Sequence, residues 1–300
     1  MSGVVRVRVL GRPGCGRTTV AGVLRAAGVL VADPPGPADL DVYVLAEALK
    51  PEDLDALAAS PGPVVAVLTK ADLTGFGGAG PMAAAAARCR VFGELAGVAV
   101  HPVAGLAALA ALDDTVIDDE LLAALQALTS DPADLGSPDR FAAGTHRVAR
   151  ALRRRLLTAL DLFGIAHAVL ALRDGHGAAG VRAALRGASG IDGVLAAVDA
   201  TAATVRYHRL IRAHVATFPT GDDAVAARMA AAVAVVRAAG MTVDDDVTAA
   251  AHLRRAITWQ RYSRGPVSRL HRSCGADIAR GSLRMWERAG GAVQSAGPPS

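Results

Sequence analysis

The β-branched runs of this chain stop near residue 128 of its 300, and that change of pattern limits the fold more than any composition figure. Before it, Val4–Leu10, Val29–Ala32, Asp41–Leu45, Val64–Leu68 and Val98–Val103 read as strands. Thr18–Ala27, Pro51–Ala59, Met82–Leu95 and Asp118–Leu128 read as the helices between or after them. Apolar runs separated by helices predict a mostly parallel sheet covered on both faces. The stretch TSDPADLGSPDR carries two prolines among turn formers, which predicts a linker over 129–140. Beyond it, His146–Leu162, Ala178–Leu185, Ile191–Ala216, Ala224–Ala239, Val247–Ser263 and Val267–Glu287 have helical length and 3.6-residue spacing. Gly164, Gly187, Gly240 and Gly265-Pro266 read as stops or separators. The expected organisation is an α/β domain over 1–128, an all-α helical bundle over 141–290 and a disordered tail over 291–300.

Composition narrows the function classes. With 52% hydrophobic, 20% charged and 3% aromatic residues, the chain must build its core from Ala, Val and Leu. No apolar run reaches the roughly 18–20 residues of a membrane span, and Met229–Val236 is short and flanked by arginines. Arg6 and Arg8 interrupt the first apolar run, so no signal peptide is expected. Cys15, Cys89 and Cys274 are odd in number and widely spaced, which argues against a disulfide framework or zinc site. The expected location is cytoplasmic, with a peripheral position at the inner face of the plasma membrane left open. Lysine occurs only at Lys50 and Lys70, as in the product of a GC-rich genome.

Against that background four stretches carry chemistry. GRPGCGRTT, Gly11–Thr19, follows a predicted strand and opens a predicted helix. It is G-x-x-x-x-G-K-[ST] with Arg17 at the lysine position, a loop whose glycine N–H groups and helix N-terminus cradle phosphate. Thr18 Oγ stands where that motif ligates magnesium. DPPG, Asp33–Gly36, follows the second run and fits D-x-x-G, although it is also an ordinary turn. TKAD, Thr69–Asp72, follows the run Val64–Leu68 and holds one of the two lysines, which lysine-to-arginine drift does not predict. HPVAGL, His101–Leu106, follows the last run.

In this order, each after its own strand, the four stretches resemble a P-loop GTPase from Val4 to about Leu112. TKAD with HPVAGLAALA is similar to the dynamin-like branch. RRRLLTALDLFGIAHAVLALRDG and LRGASGIDGVLAAVDATAATVRYHRL, with SGIDGVL foremost, resemble the helical segment of mycobacterial isoniazid-inducible dynamin-like proteins. The resemblance implies an α/β P-loop GTPase-like domain followed by the helical bundle, with GTP or GDP and Mg²⁺ as ligands. It implies nucleotide contacts at Gly11, Gly14, Gly16, Arg17, Thr18, Thr19, Asp33, Gly36, Thr69, Lys70 and Asp72. Thr18 would touch magnesium directly and Asp33 through water. Asp72 would accept from guanine N1–H and the N2 amine, the Lys70 stem would lie along the ring, and HPVAGL would offer a backbone N–H to the base carbonyl. It also implies a second dynamin-like GTPase or self-association as partner, and work at membranes.

The sequence departs from that pattern in two places. Only residues 19–32 separate the glycine loop from DPPG, which leaves no room for a first switch, and Arg17 is a planar fork where the motif uses a point charge. The expected activity is guanine-nucleotide binding with weak or slow hydrolysis. The alternative is a nucleotide-free scaffold that pairs with an active GTPase. No catalytic residue is assigned. Finally, Arg254–Arg288 is dense in arginine and holds Trp259, Tyr262 and Trp286. Arg254, Arg255, Trp259, Arg261, Arg269, Arg272 and Trp286 are candidates for a protein-binding or anionic-membrane surface, against the plain reading of a solvated helix face. Nucleic acid is a minor option, since no reading module is present.

Overall fold

Parallel pairing organises the first half of the protein. A computed structural model describes residues 4–33, 36–75, 78–213 and 221–291. Strands β1 (Val7–Gly11), β2 (Leu40–Ala46), β3 (Val64–Thr69) and β4 (Val100–Pro102) form one sheet in the order β1-β2-β3-β4, every pair parallel. β2 is buried along nearly its whole length, as a central strand covered on both faces should be. Tyr43, Leu45, Ala66 and Leu68 pack on α2 (Pro51–Ala58) and α3 (Pro81–Ala96). The alternate residues of β2 and β3 face the other way, where Val67 meets Val20, Val23 and Leu24 of α1 (Arg17–Ala26).

The expected strand Val29–Ala32 is reduced to one parallel bridge between Val31 and Val7. Asp33-Pro34-Pro35 follows in the sequence, and proline has no N–H with which to extend a ladder. Pro34 and Pro35 themselves lie outside the described residues, as do 214–216 of the helix expected over 191–216 and the tail from 292 onward. From β1 the chain therefore crosses by α1 to one side, then returns to β2 on the other. That reversal makes the carboxyl end of β1 a topological switch point.

The expected linker does not separate two bodies. α5 (Asp119–Ser130) runs into it, and α6 (Pro138–Ala143) starts inside it with Ser137 Oγ accepting from the Arg140 N–H at 3.2 Å. Phe141 is fully buried in a core shared with α4 (Gly105–Leu112), α5, α7 (Arg150–Arg173) and α8 (Ala178–Ser189). The two compact units divide between Val198 and Asp199, inside α9 (Ile191–Ala213). Three of the helices assigned from sequence to the second domain thus belong wholly or in part to the sheet unit. Apolar faces on α4, α5, α7 and α8 need one another for burial, and this outweighs the turn chemistry of 129–140.

α7 was expected to end at Leu162, yet it breaks at Asp161 (φ 55°, ψ 176°) and then continues to Arg173. Gly164 is not a stop but a packing site, where a Cβ would lie 3.0 Å from Leu160 Cβ. α7 is the one described helix long and apolar enough by composition to cross a membrane, at mean hydropathy 1.6. Its Leu156, Leu160, Ile165 and Ala168 are core residues of the unit.

The second unit, from Asp199 on, contains the rest of α9, α10 (Asp222–Ala238), α11 (Ala249–Arg264) and α12 (Arg269–Arg288). Tyr207, Val236, Trp259, Cys274 and Ile278 form its core. Gly275 lets α12 approach α11 closely, since a Cβ there would lie 3.1 Å from the Trp259 carbonyl oxygen.

Candidate functional site

The glycine loop fills the turn between β1 and α1. Gly11, Gly14 and Gly16 have φ of 139°, 78° and 87°, which L side chains rarely adopt. At Gly11 a Cβ would also run into the Val44 carbonyl oxygen. Two clamps hold the loop. Thr69 Oγ1, buried at the end of β3, donates to the Cys15 carbonyl at 2.6 Å and lies 3.0 Å from the Leu45 carbonyl. Arg12 Nε donates to Asp53 Oδ1 at 2.9 Å, and Asp53 also accepts from Tyr43 Oη and the Lys50 amide, each at 3.0 Å. Burial works to raise the Asp53 carboxyl, but those three donors outweigh it and hold it below the usual carboxylate range. Burial and the Asp53 charge push the Tyr43 phenol up to about 12.

A cavity of 220 Å³ opens beside the loop at the carboxyl edge of the sheet. Its walls are Gly16 and Thr19, then Thr69, Lys70, Asp72 and Leu73, then residues 104–107. Leu160, Asp161 and Phe163, from the break in α7, complete it. Three stretches singled out in the sequence as chemical thus converge with one read there only as a helix. Lys70 takes the left-handed conformation (φ 54°, ψ 34°), which turns the chain sharply from β3 into the 3₁₀ turn Ala71–Leu73. α1 and α4 meet where Thr19 Cγ2 would lie 3.1 Å from a Cβ on Gly105. The Ala104 N–H donates to the Ser189 carbonyl at 2.9 Å and is spent. The N–H groups of residues 105–107, in the first turn of α4, have no intrahelical acceptor.

The cavity is rich in acceptors. Burial first, and also the Asp161 charge, push the Asp72 carboxyl up, against a backbone hydrogen bond and Lys70. Among the described residues neither Asp72 nor Asp161 has an ion-pair partner within 4.0 Å. Arg17 and Thr18 stand exposed on the first turn of α1 and do not line the cavity. Asp161 is the single acid within α7, set in an apolar stretch and followed by Gly164, which is the sequence signal that could have found it.

Asp33 and Gly36 are not brought to this site. Val31 pairs with Val7, at the start of β1, and by Asp39 the chain is back beside Arg6, whose carbonyl accepts the Asp39 N–H at 2.8 Å. Asp33 instead pairs with Arg25 at 2.9 Å, in the last turn of α1. At 1.5 Å rise per residue, that turn lies about 10 Å along the helix from Thr18. The Gly36 N–H closes a turn onto the Asp33 carbonyl at 2.8 Å. Asp33 is held at the far end of α1 from the loop, so the expected second magnesium contact is not formed. Among the described residues no group of three or more His, Cys, Asp or Glu is placed to hold a metal.

The arginine-rich helices need a second correction. Trp259 and Arg255 are interior residues at 6% and 5% exposure, so neither belongs to a surface. Trp259 packs edge-on to Tyr262 with ring centroids 5.1 Å apart. Arg255 donates to Ser282 Oγ at 3.0 Å and to the Asp244 carbonyl at 2.6 Å, and contacts His252 Nδ1 at 2.5 Å. Arg280, Arg284 and Arg288 pair with Asp277, Glu287 and Asp222. Arg254 lies 3.8 Å from Asp244, and Trp286 is half-buried. Arg261, Arg264, Arg269 and Arg272 remain exposed with no ion pair among the described residues. The expected surface contracts to the corner where α11 ends and α12 begins.

Comparison with family models, with curated proteins and with solved structures finds no match for this chain.

Proposed function

We propose that the sheet unit binds a guanine nucleotide, with the base in the Asp72 cavity and the phosphates at the glycine loop, and that it hydrolyses GTP slowly or not at all. The observation that carries this reading is the convergence of Gly16 and Thr19, Thr69–Asp72 and residues 104–107 on one cavity at a topological switch point. At 220 Å³ the cavity falls below the roughly 300–1,000 Å³ of whole small-molecule sites. It suits a base, with the phosphates outside on the loop. Asp72 accepts from guanine N1–H and the N2 amine, and Lys70 lies at the cavity wall to cover the ring. Arg17 and the three positive-φ glycines present donors to phosphate.

The residues do not supply a full magnesium site. Thr18 is positioned on α1, whereas Asp33 is committed to Arg25. Slow turnover follows from that loss. In this proposal the protein is a divergent relative of dynamin-like GTPases, acting beside an active GTPase at a membrane face. The Asp33–Arg25 pair also favours the second reading, a scaffold that has given up nucleotide.

Calorimetry of the full chain with GTP, GDP and ATP separates the two. The first reading expects GTP and GDP to bind and ATP to bind at least about tenfold more weakly, as a lost charge-assisted pair would give. Asp72→Asn should shift the preference toward xanthine nucleotides. Equal affinity for ATP and GTP removes the base-reading role of Asp72, and no binding by any nucleotide leaves the scaffold.

A further inference from the structure

We propose that Asp161 is a second base-reading carboxylate, which accepts the exocyclic N2 proton that Asp72 leaves unpaired. The inference rests on the nucleotide reading above and adds a residue to it from α7. Nothing in local sequence chemistry forces α7 to break at Asp161: no proline is near, and the following Gly164 is helical. Core residues Leu160 and Ile165 flank the break and stay fully packed. The break costs stability, because φ 55° with ψ 176° borders a region nearly reserved for glycine. What it achieves is to put the Asp161 side chain and Phe163 into the cavity wall.

The charge inventory says what the carboxylate can meet there. Asp161 Oδ1 accepts the Leu162 N–H at 2.7 Å, which caps the resumed helix and leaves its second oxygen for a ligand. With Asp72 it makes two carboxylates against Lys70 alone, an acceptor excess in 220 Å³. No third metal-binding side chain accompanies the pair among the described residues, so a cation cage is not built. A neutral edge rich in donors is the complement. Guanine carries N1–H and two N2–H on one edge, three donors for two carboxylates. Adenine turns a ring-nitrogen acceptor to the same place, which both carboxylates would repel.

Inosine triphosphate lacks only the N2 amine, which both Asp72 and Asp161 meet in this reading, so the change in the ratio of GTP to ITP affinity on substituting Asp161 isolates this contact. The unmodified full chain should prefer GTP by about 10-fold or more, in line with a hydrogen bond to a charged group. Asp161→Gly fits the observed backbone and should cut that ratio to the part Asp72 supplies while raising the thermal midpoint. Asp161→Asn, a milder change in the same place, should lower the ratio without removing the cap. A preference for GTP over ITP left undiminished by both substitutions would show that Asp161 only caps the helix, and the inference would fail alone. If the unmodified chain binds neither nucleotide, the nucleotide reading fails and takes this one with it.

Discussion

Around Asp277 in the helical unit, three donors converge on one buried carboxylate. Tyr207 Oη and Arg228 Nη2 each lie 2.9 Å from Oδ2, and Arg280 Nη1 lies 3.0 Å from Oδ1. Around Asp72 in the sheet unit the count is reversed, with two carboxylates and one lysine at a cavity. Both clusters are charged and partly desolvated, but only the first is complete within the chain. Burial, and after it the Asp277 charge, push the Tyr207 phenol far up, which marks a neutral donor locked in place. Burial and the Asp161 charge push the Asp72 carboxyl up as well, because one backbone hydrogen bond and Lys70 do not offset them. Completeness, rather than charge density, separates a group that holds the fold from one that the proposed reading gives to a ligand.

The largest effect expected from this contrast is at Asp277. Asp277→Ala would leave Arg228 and Tyr207 without their buried acceptor, at a cost of about 3–5 kcal/mol. Trp259 and Trp286 are the only tryptophans and both lie in this unit, so tryptophan fluorescence during urea unfolding reads it selectively. The midpoint should fall steeply, with the sheet unit's unfolding, followed by calorimetry, moved far less. An unchanged fluorescence midpoint would show the cluster to be idle.

Asp72→Asn should act in the opposite direction, and more weakly. It removes a carboxylate that costs stability when ionised, so the ligand-free midpoint should rise by about 2–4 °C for each kcal/mol relieved. The sign follows from linkage. A carboxyl whose folded value is raised costs stability above that value, and the cost fades as pH falls toward the unfolded value near 4. The gap between Asp72→Asn and the unmodified chain should therefore be widest at neutral pH and narrow under mild acid, in paired scanning calorimetry. A variant less stable at pH 7 would place Asp72 among the structural carboxylates with Asp277.

The same contrast explains what could be read in advance. Strands β1 to β4 and helices α1 to α3 were legible because β-branched runs and turn residues state them locally. TKAD and the glycine loop were legible as turns leaving β3 and β1, because glycine and turn residues state them locally. The ends of the sheet unit were not, since burial of Phe141 and Leu156 in one core depends on contacts no local pattern displays. Asp161 was missed because a single acid in a helix usually faces solvent, and only the break in α7 aims it at the cavity. Trp259 and Arg255 were misread for a related reason. Aromatic and arginine density looks alike whether a helix shows those residues or buries them, and burial is set by Cys274, Ile278 and Gly275 on the facing helix.

The smallest effect on stability, and the sharpest test of the helical unit, belongs to the corner between α11 and α12. Arg261, Arg264, Arg269 and Arg272 are exposed there and have no ion pair among the described residues, unlike the arginines farther along α12. The joint substitution Arg261→Ala and Arg272→Ala should leave the fluorescence midpoint within roughly 0.5 kcal/mol of the unmodified value, as surface changes do. If the corner meets anionic headgroups, the unmodified chain should float with anionic vesicles at low salt and not with neutral ones. Attraction screened over about 8 Å at physiological ionic strength should let raised salt release it. The double variant should lose most of that retention while keeping its fold. Failure of the unmodified chain to float at low salt would make these four arginines a solvated face, and both of the protein's charged regions would then differ in completeness but not in what they offer to a membrane.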